Sequence, residues 1–181
     1  MEYWYALFVK TGFEQKLDEY IRASVIGEGL SPFVPKVERI IKLSGLIKTE
    51  RKTMFPGYLF VETDLNNLEF NRRMYNTRSF LQEIFRVVRY GESFISSIHE
   101  EEKEFLIDLL NVEHCLEASR GIMDGDRVYI TEGPLIGRES IIKKIDRHKR
   151  KAVIEMDLLG DIRCISVALE IIKKIPFSDC E

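Results

Sequence analysis

The chain has 181 residues, 45% of them hydrophobic and 31% charged, which excludes wholesale disorder and supplies one large core or two small ones. Its 27 Lys and Arg against 30 Asp and Glu give a net charge of -3, which excludes a bulk polycation that coats nucleic acid indiscriminately. No apolar run approaches the roughly 18 residues of a spanning helix, and the widely spaced Cys115, Cys164 and Cys180 suggest neither a disulfide framework nor a Cys-x-x-Cys metal site. The run after Met1 and Glu2 reads as a strand rather than a secretory leader, so reduced thiols, a cytoplasmic location and no membrane partner are expected.

Tyr3 to Lys10 is predicted as a strand with Trp4, Ala6 and Phe8 on one face and Tyr5, Leu7 and Val9 on the other. Thr11 with Glu14 fits a capping box for a helix running to about Val25, its apolar face carried by Leu17 and Ile21. Gly27, Gly29, Pro32 and Pro35 punctuate the next stretch. Val37–Leu43 and Ile47–Lys52 then flank Leu43, Ser44 and Gly45 as a hairpin. Phe55-Pro56-Gly57 breaks the chain before a strand over Tyr58–Thr63, and Asp64 is placed to cap a helix through Leu68 and Met74. A strand over Ile84–Tyr90 follows. Ser97 with Glu100 suggests a second capping box, for a helix lined by Phe105, Leu106, Leu109 and Leu110.

The periodicity lapses from Asn111 to Gly121, which reads as a linker. Short β-rich runs then recur at Arg127–Thr131, Ser140–Ile145, Ala152–Met156 and Ile162–Val167, with turn signals at Gly125, Gly133-Pro134, Gly137, His148 and Gly160. The order predicts an α+β chain: an α/β sandwich over residues 1–111, a linker over 112–121, and a small all-β barrel over 122–177.

A search for catalytic chemistry finds little. His99, His114 and His148 are scattered, and no Gly-x-Ser-x-Gly elbow, phosphate loop or dinucleotide turn is present, so neither an enzyme nor a cofactor or metal is expected. Two features stand out instead. In Phe55-Pro56-Gly57-Tyr58-Leu59-Phe60-Val61, Tyr58 and Phe60 share a face opposite Leu59 and Val61. Together with Phe8, Phe55 and Pro56 they form either a partner surface or the core of a sheet covered on both sides. The second feature is charge: Lys36 to Lys52 holds six Lys/Arg against two Glu, and Lys143 to Lys151 six against one Asp. Lys143, Lys144, Arg147, His148, Lys149, Arg150 and Lys151 surround a tight turn suited to phosphates, His148 being able to stack on a base. Solvated strand faces are the plainer explanation of either strip.

The Trp4-Tyr5-Ala6-Leu7-Phe8 and Phe55-to-Val61 motifs, followed by Gly125-Asp126-Arg127-Val128 and Glu132-Gly133-Pro134-Leu135-Ile136-Gly137, resemble the NusG family of transcription elongation factors over nearly the whole chain. The resemblance implies an N-terminal NusG-type α/β sandwich that binds the clamp helices of RNA polymerase, followed by a KOW domain, an SH3-like barrel. That barrel would recruit nascent RNA or other nucleic acid, Rho, or a ribosomal protein. The docking set implied is Phe8, Phe55, Pro56, Tyr58 and Phe60. Arg72, Arg73 and Arg78 of the first domain would join the basic turn in touching nucleic acid. Ser140 where the KOW motif has glycine, the short linker and the basic run resemble a specialised paralog, an antiterminator of the LoaP type, acting as a monomer. The rival expectation is a ribosome-associated KOW-type RNA-binding protein.

Overall fold

A computed structural model describes residues 2–43, 45–78, 81–91 and 95–175. The chain divides into two compact units, one made of Met1–Pro35, Thr53–Leu106 and Leu158–Asp161, the other of Lys36–Lys52, Ile107–Asp157 and Ile162–Glu181.

The first unit is organised on a four-stranded sheet. β1 (Tyr3–Val9) leads into α1 (Glu14–Ala23), and β2 (Leu30–Phe33) follows. Next in this unit come β5 (Tyr58–Thr63), α2 (Asn67–Arg78), β6 (Ile84–Val87) and the start of α3 (Glu100–Leu109). The strand order is β2-β5-β1-β6. β1 lies antiparallel to β5 from Tyr3 opposite Thr63 to Phe8 opposite Tyr58. Alternation then sorts the side chains as the sequence predicts: Tyr5, Leu7 and Val9 join Leu59 and Val61 in a core with Leu17 and Ile21 of α1 and Phe70 and Met74 of α2. Tyr5 stacks on Phe70 with ring centroids 3.8 Å apart, and its buried hydroxyl donates to the Leu65 carbonyl. Burial pushes the Tyr5 phenol up to about 12.

β2 was not expected, because Gly29 and Pro32 read as punctuation. Pro32 is tolerated because β2 is an edge strand. The three expected caps also differ. The residue before α1 is Phe13, and Glu14 itself accepts the Gly12 N–H at 2.7 Å. Asn66, not Asp64, accepts the N–H groups of Leu68 and Glu69 at the start of α2, while Asp64 accepts from the Glu2 backbone. Ser97 is engaged by the Asn67 amide instead of closing a box with Glu100. These bonds of Glu14 and Asn66 stay within three residues, whereas the partner of Ser97 lies 30 residues away, where local spacing does not reveal it.

In the second unit β3 (Lys36–Leu43) and β4 (Leu46–Thr53) form the expected hairpin, Ser44 lying outside the described residues. The stretch read as linker contains β7 (Cys115–Leu116), which pairs with Lys36 and Val37 of β3, and the first residues of β8 (Ser119–Asp124). β8, β9 (Arg127–Glu132), β10 (Ile142–Asp146), β11 (Lys151–Leu158) and β12 (Asp161–Ile175) form a five-stranded sheet ordered β10-β11-β12-β8-β9. β12 runs well past the expected Val167 because from Leu169 onward it pairs in parallel with β8. Two glycines permit the close crossing of β8 and the turn after β9. A Cβ at Gly121 would lie 2.5 Å from the Tyr129 carbonyl oxygen, and one at Gly133, whose φ is +95°, 2.7 Å from that of Ala118. Ser119, fully buried, secures the Glu132–Gly137 turn by accepting the Leu135 N–H at 3.2 Å. The fold is thus an α+β domain followed by a β-rich one.

Candidate functional site

The aromatic strand delivers only part of its side chains to the surface. Phe60 is fully buried, flanked by Phe33 at 5.5 Å and Phe55 at 5.7 Å between ring centroids, and Phe55 is itself buried. Opposite Phe60 stands the small Ala6 on β1 and Phe33 on β2, so its ring fills the middle of the sheet face. Of the expected docking set, Phe55 and Phe60 are therefore buried, Phe8 and Tyr58 are half-buried and Pro56 is exposed.

β6 completes the patch. Leu7 and Phe8 pair with Val87 and Arg86, but Val9 pairs with Ile84, so Phe85 and Arg86 together oppose Phe8. This bulge brings both to the Phe8 ring, which alternation along β6 does not. The Phe85 ring centroid lies 5.7 Å from that of Phe8, the Arg86 guanidinium 5.6 Å above it, and Tyr58 5.6 Å away on the other side. Phe85 is 44% exposed. The result is a row of aromatic rings across three strands with a cation over the middle one, a composition enriched at protein interfaces. Sequence reading missed Phe85 and Arg86 because the position of β6 beside β1 has no local signal.

The turn that presents Tyr58 is held from below. Gly57 has a φ of +85°, and Tyr58 N–H closes the turn on the Phe55 carbonyl. The buried Glu14 carboxylate accepts the Gly57 N–H at 2.6 Å with one oxygen and the Gly12 N–H at 2.7 Å with the other. One side chain therefore ties the Phe55–Tyr58 turn to the loop leaving β1. The Thr11–Glu14 spacing flagged this carboxylate but not its partner 43 residues away.

The expected cations are distributed unevenly. On α2, Arg72 is exposed, Arg73 donates to the Glu28 carbonyl, and the side chain of Arg78 lies outside the described residues. In the five-stranded sheet of the second unit, Lys143 meets Glu155 at 3.5 Å, Lys144, Arg147 and His148 are exposed, and Lys149 lies 3.9 Å from Asp146. Arg150 takes a left-handed conformation, φ +47°, at the tip of the turn and pairs with Glu170 at 3.0 Å. Within the same unit, His148, Lys149, Arg150 and Lys151 line a groove of about 450 Å3 whose other bank is Arg39 to Lys42 of β3. The two basic strips of the sequence thus meet. Among the described residues, no three His, Cys, Asp or Glu side chains gather as a metal site, and no helix is long and apolar enough to cross a membrane.

The chain thus presents two distinct surface features, one aromatic and cationic, the other basic and grooved. The family profile described as "Transcription termination factor nusG" matches residues 2–107, more than half of the chain, and the protein belongs to the NusG family. It is similar to the transcription termination/antitermination protein NusG of Thermus thermophilus, 24% identical over 165 residues covering 87% of this chain and 90% of the relative. The NusG protein of Borreliella burgdorferi is 27% identical over 188 aligned residues, 95% of this chain and 98% of the relative. That of Campylobacter jejuni is 22% identical over 179, covering 95% and 97%.

Proposed function

We propose that this protein is a transcription termination/antitermination factor that binds RNA polymerase through the first domain and nucleic acid through the barrel. The observation that carries this reading is the row Tyr58, Phe8, Phe85 and Arg86, aromatic and partly exposed on a sheet face whose other large rings are buried. In a chain of this family, such a row suits the apolar side of the polymerase clamp helices, and clustered anchors of this kind dominate interface energies. Residues 1–111 act as the polymerase-binding domain and 122–177 as the KOW domain. The turn from Lys143 to Lys151 supplies phosphate contacts, and its charge favours a specialised antiterminator of the LoaP type acting on selected transcripts.

The test is a titration of RNA polymerase with the intact protein and with its Phe8→Ala/Tyr58→Ala variant. Loss of two half-buried anchors weakens binding by about 2 kcal/mol or more, roughly 30-fold. The circular dichroism spectrum is retained, because neither ring belongs to the Leu59–Val61 core. Unchanged affinity in the folded double variant would discard the surface.

A further inference from the structure

Five of the residues lining the groove between β3 and the β10–β11 turn are Lys or Arg, one is His, and none is acidic. The chain as a whole carries -3, so this concentration of cations runs against the global balance. Two of these cations are paired with carboxylates outside the lining, Arg150 with Glu170 and Lys149 with Asp146, leaving a surplus of three positive charges. Arg39 and Lys42 come from one bank, Lys149 to Lys151 from the other. The lining between them includes Ile40, Ile41, Val167 and Ala168, and His148 stands at the turn.

We propose that this groove is a binding site for a single nucleic-acid strand, its phosphates neutralised from the hairpin and the barrel turn together. The proposal rests on the reading of the barrel as nucleic-acid-binding and extends it to the hairpin. Cations on two opposed banks hold a phosphodiester from both sides, and guanidinium groups on each bank, Arg39 and Arg150, provide forks for phosphate oxygens. The apolar lining accommodates a sugar or a base edge, and His148 offers a plane for stacking. A space of about 450 Å3 is that of a small-ligand site and takes one backbone rather than a duplex. An acidic peptide is the lesser fit. It would use the backbone edge of β3, which loses its β7 partner after Val37, but the groove lining offers only Arg39 to Lys42 of that edge for a ladder.

The experiment measures fluorescence anisotropy of the full chain with a labelled single-stranded RNA, the same sequence as single-stranded DNA, an RNA duplex, and an oligoglutamate of equal charge, across a salt series. Arg39→Ala/Lys42→Ala removes two contacts from one bank. At about 0.7 in log-log slope per single-strand phosphate contact, it lowers the salt slope by about 1.4 and the affinity at 0.1 M salt by about 25-fold. Arg39→Lys/Lys42→Arg restores the slope, which separates charge from packing. Equal binding of RNA and DNA assigns the site to the phosphate backbone, and tighter RNA binding adds the 2′-hydroxyl. If Lys149→Ala/Lys151→Ala weakens binding but the hairpin variant does not, the shared groove is wrong while the barrel reading stands. If neither variant changes binding, both fall. Preference for the duplex, or for oligoglutamate, would overturn the assignment to a single strand.

Discussion

Replacing Glu14 tests whether a buried carboxylate holds the Phe55–Tyr58 turn in place. In Glu14→Ala, the Gly57 N–H loses its acceptor in a buried setting, at a cost of about 1–3 kcal/mol. Gly12 is exposed and its N–H rehydrates, so only the net value of a charge-assisted bond is lost there, about 1–2 kcal/mol. The sum is about 3 kcal/mol. Glu14→Gln keeps one acceptor oxygen but turns an amide NH2 toward the second donor, and costs about half as much. Native-state hydrogen exchange reads the effect locally: the Gly57 amide exchanges about 100-fold faster in the alanine variant and about 10-fold faster in the glutamine one. Because the turn carries Tyr58, polymerase affinity falls in the same order, although Glu14 does not reach the surface. Exchange at Gly57 within about threefold of the parent protein in Glu14→Ala would refute the reasoning, since the Glu14 carboxylate is the acceptor of that N–H.

Phe60→Ala, in contrast to the surface variants, is a core deletion that costs about 3–5 kcal/mol in denaturant unfolding. A loss of polymerase affinity with stability changed by less than about 1 kcal/mol would return Phe60 to the docking surface. In the second unit, the Glu139 carboxylate accepts the Ile130 N–H at 3.0 Å, which holds its pKa below the ordinary value of 4.5. A depressed carboxylate contributes stability above its unfolded pKa and loses it as pH falls through the folded one. The parent protein therefore loses more stability than Glu139→Gln between about pH 5 and about pH 2, and parallel urea midpoints for the two would exclude this linkage.

Local pattern determines much of this protein. Alternation in Tyr3–Val9 and Tyr58–Thr63 separates a helix-covered face from an aromatic one, because a strand's period of two leaves each side chain no choice of face. Glycine and proline punctuation marks the β3–β4 hairpin and the turns of the five-stranded sheet through backbone constraints that act within a few residues. Long-range placement is decided elsewhere. Whether an aromatic ring on the outer face is buried depends on which strands flank it: Phe60 sits beside Phe33 and disappears, whereas Phe8 sits beside a bulge and gains Phe85 and Arg86. Glu14 finds Gly57, and Lys36 finds Cys115, across separations that no local spacing records. The two basic strips lie about a hundred residues apart as separate charge runs. Only the packing of the second unit puts Arg39 and Lys42 opposite Lys149, Arg150 and Lys151, because charge composition specifies how many cations there are and chain topology specifies which of them face one ligand.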